Sequence, residues 1–132
     1  MRVRACLVLL LCLLAPVGCK KTKSTEELIN DLKSPEERER IIAVRLLPER
    51  KADADQVVPA LIEALKDRTE DVRWNAAIGL GYFGEQARDA IPALQEAQRD
   101  RDARVREAAG VALSRIDPNL APKTATSRLR GK

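Results

Sequence analysis

The chain has 132 residues, enough for one modest domain, with 24 basic and 20 acidic residues. Aromatics make up 2% of it, too few for an aromatic-rich β core, whereas its Ala, Leu, Val and Ile suit packed helices. There is no His to serve as the usual general base near neutral pH. Cys6, Cys12 and Cys19 all lie in the first 19 residues, which excludes a disulfide framework or a Cys-based metal site in the body.

Arg2 and Arg4 open the chain, and Ala5 to Val17 is an uncharged apolar run of 13 residues. As a helix that run is about 20 Å long, short of the roughly 30 Å of a bilayer core, so it reads as the apolar region of a signal peptide. It ends in Pro16-Val17-Gly18-Cys19. This resembles the lipobox of bacterial lipoproteins, in which a small residue precedes a Cys that is acylated and becomes the mature N-terminus. Gly18 and Cys19 fit; Pro16 stands where those proteins usually have Leu. The resemblance implies a signal peptide over 1–18, lipidation of Cys19 and a basic spacer over 19–23. It also implies an extracytoplasmic place at a membrane, facing the periplasm or the cell surface. Two or three acyl chains would anchor stably.

Ser24 and Glu27 form a capping-box pattern before a helix predicted at about 25–33. A second helix follows at about 36–47, closed by Pro48. The next pair spans about 56–66 and 70–82, with Asp55 as the expected cap and Pro59 near the first turn. The last pair spans about 89–99 and 103–116, closed by Pro118. A shift of 33 residues carries Asp67, Val72, Arg73, Ala76 and Leu80 onto Asp100, Val105, Arg106, Ala109 and Leu113. It also carries Val58-Pro59-Ala60-Leu61 onto Ile91-Pro92-Ala93-Leu94. A weaker copy precedes both, through Leu28, Leu32, Arg40, Ala43 and Leu47. A fixed period of this size marks a stacked array of helix pairs, with units at about 24–47, 55–83 and 88–116 in a domain over 24–117.

The segments VVPALIEALKDRTEDVRWNAAIGLG and AIPALQEAQRDRDARVREAAGVAL carry a Pro in the first helix, an Asp in the turn and Val-Arg opening the second. This resembles HEAT repeats of the phycobilisome-lyase type. It implies an all-α fold, a short right-handed α-solenoid of about three helix pairs (six helices). The first unit departs, with Glu26 at the Pro position and Ser34 at the Asp position, as terminal repeats often do. The resemblance also implies a ladder in which Asp67 and Asp100 accept N–H bonds at the next helix start. Arg73 and Arg106 are expected to bond those carboxylates, within a unit or across to its neighbour.

Residues 24–117 hold 15 basic and 20 acidic side chains, a net of −5, so the basic balance resides in the ends. Nucleic acid is therefore not the expected partner. Gly79-Leu80-Gly81-Tyr82-Phe83-Gly84 satisfies G-x-G-x-x-G, but no strand precedes it, and it reads as a helix end. Asp53-Ala54-Asp55 and Asp100-Arg101-Asp102 lack the Gly of a calcium loop. These readings imply no catalytic residue, no metal and no small-molecule cofactor, and an expectation that the chain is not an enzyme. Trp74 either packs in the core or anchors a partner, and Tyr82 joins it as a candidate contact. Residues 118–132 have no period and no acid, and are expected to be a disordered basic tail. The expected role is a lipid-anchored scaffold for an unidentified protein at the cell envelope. One alternative is a lyase-like chaperone or enzyme subunit acting on a bound substrate. Another is a structural envelope component that binds lipid or cell-wall polymer.

Overall fold

The computed structural model describes residues 22–120. Six α-helices run in chain order among them: α1 (Thr25–Asp31), α2 (Glu37–Leu46), α3 (Ala54–Ala64), α4 (Glu70–Phe83), α5 (Ile91–Ala97) and α6 (Ala103–Ile116). No strand occurs among the described residues. The fold is an all-α stack of HEAT-like helix pairs, a short α-solenoid.

Local chemistry sets most of the boundaries. Ser24 caps α1 in a full capping box, its hydroxyl taking the Glu27 N–H while Glu27 bonds the Ser24 N–H. Asp102 caps α6 by accepting from the N–H groups of Arg104 and Val105. Gly84 ends α4 at φ 54°, a left-handed conformation that glycine tolerates best.

Two expectations at α3 need correction. The helix starts at Ala54, so Asp55 lies inside its first turn and is not the cap. Pro59 is accordingly inside the helix, not near its start. The reason is the short 3-10 turn over Lys51–Asp53, which feeds directly into α3. In the third unit the matching stretch stays a 3-10 turn over Gly84–Ala90, with Ala87 at φ −98°, ψ 24°, so Pro92 falls at the start of α5.

Packing follows the 33-residue stride. Leu28, Leu61 and Leu94 are fully buried at one position in the three units. Val72 and Val105, Ala43, Ala76 and Ala109, and Leu47, Leu80 and Leu113 are buried likewise. Each first helix packs on its own second helix, and the second helices pack on one another from α2 to α4 to α6. The first helices touch one another far less, so α2, α4 and α6 form a continuous inner layer. The chain after Asp117 begins with a 3-10 turn over Pro118–Leu120, and Leu120 packs against the core. Residues 118–120 of the expected tail are therefore structured; residues 121–132 lie outside the described residues, as do residues 1–21, where the signal peptide and the lipidation of Cys19 are expected.

Candidate functional site

The unit boundaries are held by arginines that reach forward. Arg40 donates through Nε to Asp67 Oδ2 at 2.9 Å and through Nη2 to Asp67 Oδ1 at 3.2 Å. Arg73 does the same to Asp100 at 2.8 and 3.0 Å. Both arginines are buried. Each carboxylate also takes an N–H two residues on, from Thr69 to Asp67 and from Asp102 to Asp100, both at 2.8 Å. One Asp therefore shapes its own turn and ties that turn to the preceding unit. The Arg73 hydrogen bond holds the Asp100 carboxyl below its usual range, against the desolvation that pushes it up. The same bond raises the Arg73 guanidinium.

The pairing runs across units and starts one unit earlier than the two Asp-Arg copies suggest, since Arg40 of the first unit is its first member. Its signal was the 33-residue match of Arg40 to Arg73. Arg106 departs from expectation. Its Nη1 bonds the carbonyls of Asp100 and Arg101, as Arg40 and Arg73 bond those of their own turns. It grips no carboxylate among the described residues, because each such carboxylate belongs to the following unit and the third unit is the last described. A second set of rungs was not foreseen: Arg68 donates to the Pro35 carbonyl and Arg101 to the Arg68 carbonyl, each 33 residues back.

The inner layer carries a groove between α4 and α6. Trp74, Ile78 and Tyr82 are spaced by four on α4, so they share one face. Arg104 and Arg115 come from α6. The Arg104 guanidinium lies 5.7 Å from the Trp74 ring centre, and that of Arg115 lies 5.6 Å from the Tyr82 ring centre. Both are cation–π distances. Arg104 is steered further by Asp71 at 3.0 Å and Asp102 at 3.5 Å. The cleft holds about 450 Å³ and is floored by Ala77, Gly81, Ala108 and Ala112. Those small residues let the helices close up: a Cβ on Gly81 would stand 3.2 Å from Ala112 Cα. A second cleft of about 470 Å³ lies between α2 and α4, over Val44, Pro48, Asn75 and Gly79. Ile78 and Tyr82 line both clefts and form the ridge between them.

Trp74 is half-buried against the core and also lines the groove. Tyr82 is 57% exposed and lines the groove. Gly79 to Phe83 form the last turn and a half of α4 and Gly84 caps it, so these glycines follow a helix and not the strand that a dinucleotide fingerprint needs. No group of three His, Cys, Asp or Glu side chains among the described residues is placed to hold a metal ion. None of the described helices is long and apolar enough to cross a membrane.

Comparison with known proteins agrees with this geometry. HEAT repeats match residues 25–114 and, in a second register, 58–130. The chain belongs to the HEAT-repeat family. Among solved structures, nineteen chains match. One is the complex of CpcE and CpcF of phycocyanin lyase from Nostoc sp. PCC7120, at 34% identity and a TM-score of 0.67. The match covers 81% of this chain and 42% of that one, so the chain spans less than half of that protein's length. No curated protein matches. The expectation that the chain is not an enzyme is corrected by this neighbour, which belongs to a lyase. A body without His or thiol argues only against His- or Cys-based chemistry carried by this chain alone.

Proposed function

We propose that this HEAT-repeat protein is a substrate-holding subunit or chaperone of the lyase type, which binds a protein in the groove between α4 and α6. The observation that supports this reading is the groove itself. Two aromatics are each covered by an arginine, with Ile78 and the 45% exposed Val111 between them. Aromatic and arginine side chains are the residue types that dominate protein–protein hot spots. Likeness to a lyase complex favours a helper that works on the protein it holds over a passive scaffold. The leader favours a place at the membrane, with lipidated Cys19 and Lys20-Lys21 as the tether. The single Trp in the chain, Trp74, reports on the groove directly.

The test has two parts. Intact mass of the membrane-extracted protein should show loss of residues 1–18 and addition of acyl chains; an unprocessed, unacylated mass removes the tether. A protein captured from membranes by the wild type should be lost when Trp74→Ala is combined with Tyr82→Ala. Capture that survives the double substitution removes the groove as the holding site.

A further inference from the structure

The same stride that builds the interior leaves two complementary edges. At the first internal junction Asn75 and Gly79 lie over Val44 and Pro48, and a Cβ on Gly79 would stand 2.8 Å from Pro48 Cγ. At the second, Ala108 and Ala112 lie over Ala77 and Gly81. Each junction therefore sets the pair i, i+4 of one second helix on the corresponding pair of the helix before it. Carried one step forward, the receiving pair on the outer side of α6 is Gly110 and Ser114. Carried one step back, the inserting pair on the outer side of α2 is Ile42 and Leu46. Ile42 is 43% exposed and Leu46 38%, two of the four large apolar side chains exposed among the described residues. Large residues thus stand at one edge and small ones at the other, in register.

Charge matches in the same register. Arg106 is exposed, with Nη1 fastened to two carbonyls as in the buried arginines. Its Nε–Nη2 fork, the counterpart of the atoms by which Arg40 and Arg73 grip Asp67 and Asp100, meets no carboxylate among the described residues. Arg101 and Arg104 stand beside it in the α5–α6 turn and the start of α6. At the other edge Ser34 replaces the turn Asp, but Glu36 occupies the place of Thr69, whose hydroxyl accepts from Arg40 Nη2 at 2.9 Å. Glu37 follows it, and both are exposed. No acidic side chain follows Asp117, so residues 121–132 offer Arg106 no side-chain carboxylate.

We propose that copies of this chain stack head to tail, the α6 edge of one receiving the α2 edge of the next, so that the internal stride continues between molecules. Ile42 and Leu46 of one copy seat on Gly110 and Ser114 of its neighbour, and Arg106 takes Glu36 in place of an aspartate. Such a contact is heterologous and leaves a free edge at each end, so it builds open-ended arrays. Packing large side chains onto small ones restores the interior density that an open edge lacks.

Sedimentation of the full chain in mild detergent, over a concentration series, tests this. The wild type should pass from monomer to multiples of the monomer mass. Arg106→Glu alone and Glu36→Arg alone should each stay monomeric, because like charges then meet at every junction. Mixed in equal amounts they should associate again, since each junction in the mixture pairs opposite charges. Restoration on mixing also shows that both variants fold. A wild type that stays monomeric throughout overturns the proposal and leaves the edges to another chain or to residues 121–132. Association that neither reversal weakens overturns it as well.

Discussion

Arg73 and Asp100 are joined by two near-parallel hydrogen bonds across a unit boundary, 2.8 and 3.0 Å long, with the guanidinium almost wholly out of water. The bond does what the apolar core cannot do alone. Ala and Leu side chains bring neighbouring units together, but apolar attraction is non-directional. A bidentate Arg–carboxylate pair fixes angle and register.

Removing one partner of that pair should therefore cost far more than removing a surface pair. Asp100→Ala leaves the Arg73 fork buried without its carboxylate and should destabilise the domain by about 3 kcal/mol or more. Glu63→Ala, which removes the exposed Lys66–Glu63 pair at 3.5 Å, should leave the unfolding midpoint nearly unchanged. Urea denaturation followed by helical circular dichroism measures both.

Acid should act through the same carboxylate. Arg73 depresses the Asp100 carboxyl in the folded state. Its stabilisation is therefore complete above the unfolded value, about 3.9, and is lost as pH falls through the lower folded value. Asp100→Asn removes that titration. The stability gap between wild type and Asp100→Asn should be widest at neutral pH and should narrow steadily below about pH 4. Urea midpoints at several pH values would show a constant gap if the pair contributed nothing.

Two glycines on the inner helices should respond oppositely to alanine. Gly81→Ala drives a Cβ to within 3.2 Å of the Ala112 backbone and should cost about 1–3 kcal/mol through overpacking. Gly110→Ala meets only the flexible end of Gln98 at 3.4 Å, and helix propensity should make it neutral or stabilising by up to about 1 kcal/mol. Thermal unfolding of the two variants side by side checks the sign of each.

Much of this fold could be read in advance because a repeat prints its own pattern more than once. Val72 with Val105 and Leu80 with Leu113 show the buried face without any structure. The start of α3 lies earlier than expected because the 3-10 turn over Lys51–Asp53 runs directly into it and buries no side chain, so no apolar period marks where the turn becomes the helix, and Asp55 reads equally well as a cap or as a first-turn acid. The ladder residues were visible, but the direction in which each Arg reaches was not: spacing along the chain does not say which unit lies within a side chain's length. Arg104 over Trp74 left no mark, because that contact joins non-equivalent positions of two units; Arg115 and Tyr82 are equivalent by the 33-residue shift, but an Arg matched to a Tyr does not announce that one covers the other.

The proposed role requires that the α4–α6 face of the stack, and not the first-helix face, meets another protein. A photo-reactive phenylalanine analogue placed at Tyr82 or Val111 probes the groove, and the same group at Glu63 or Glu96, exposed on the first helices, probes the opposite layer. Irradiation of cells carrying the full chain should yield one discrete cross-linked product of a partner protein from positions 82 and 111 and none from 63 and 96. A partner captured only from 63 and 96, or no discrete product from 82 and 111, would contradict the assignment of the α4–α6 groove as the docking site.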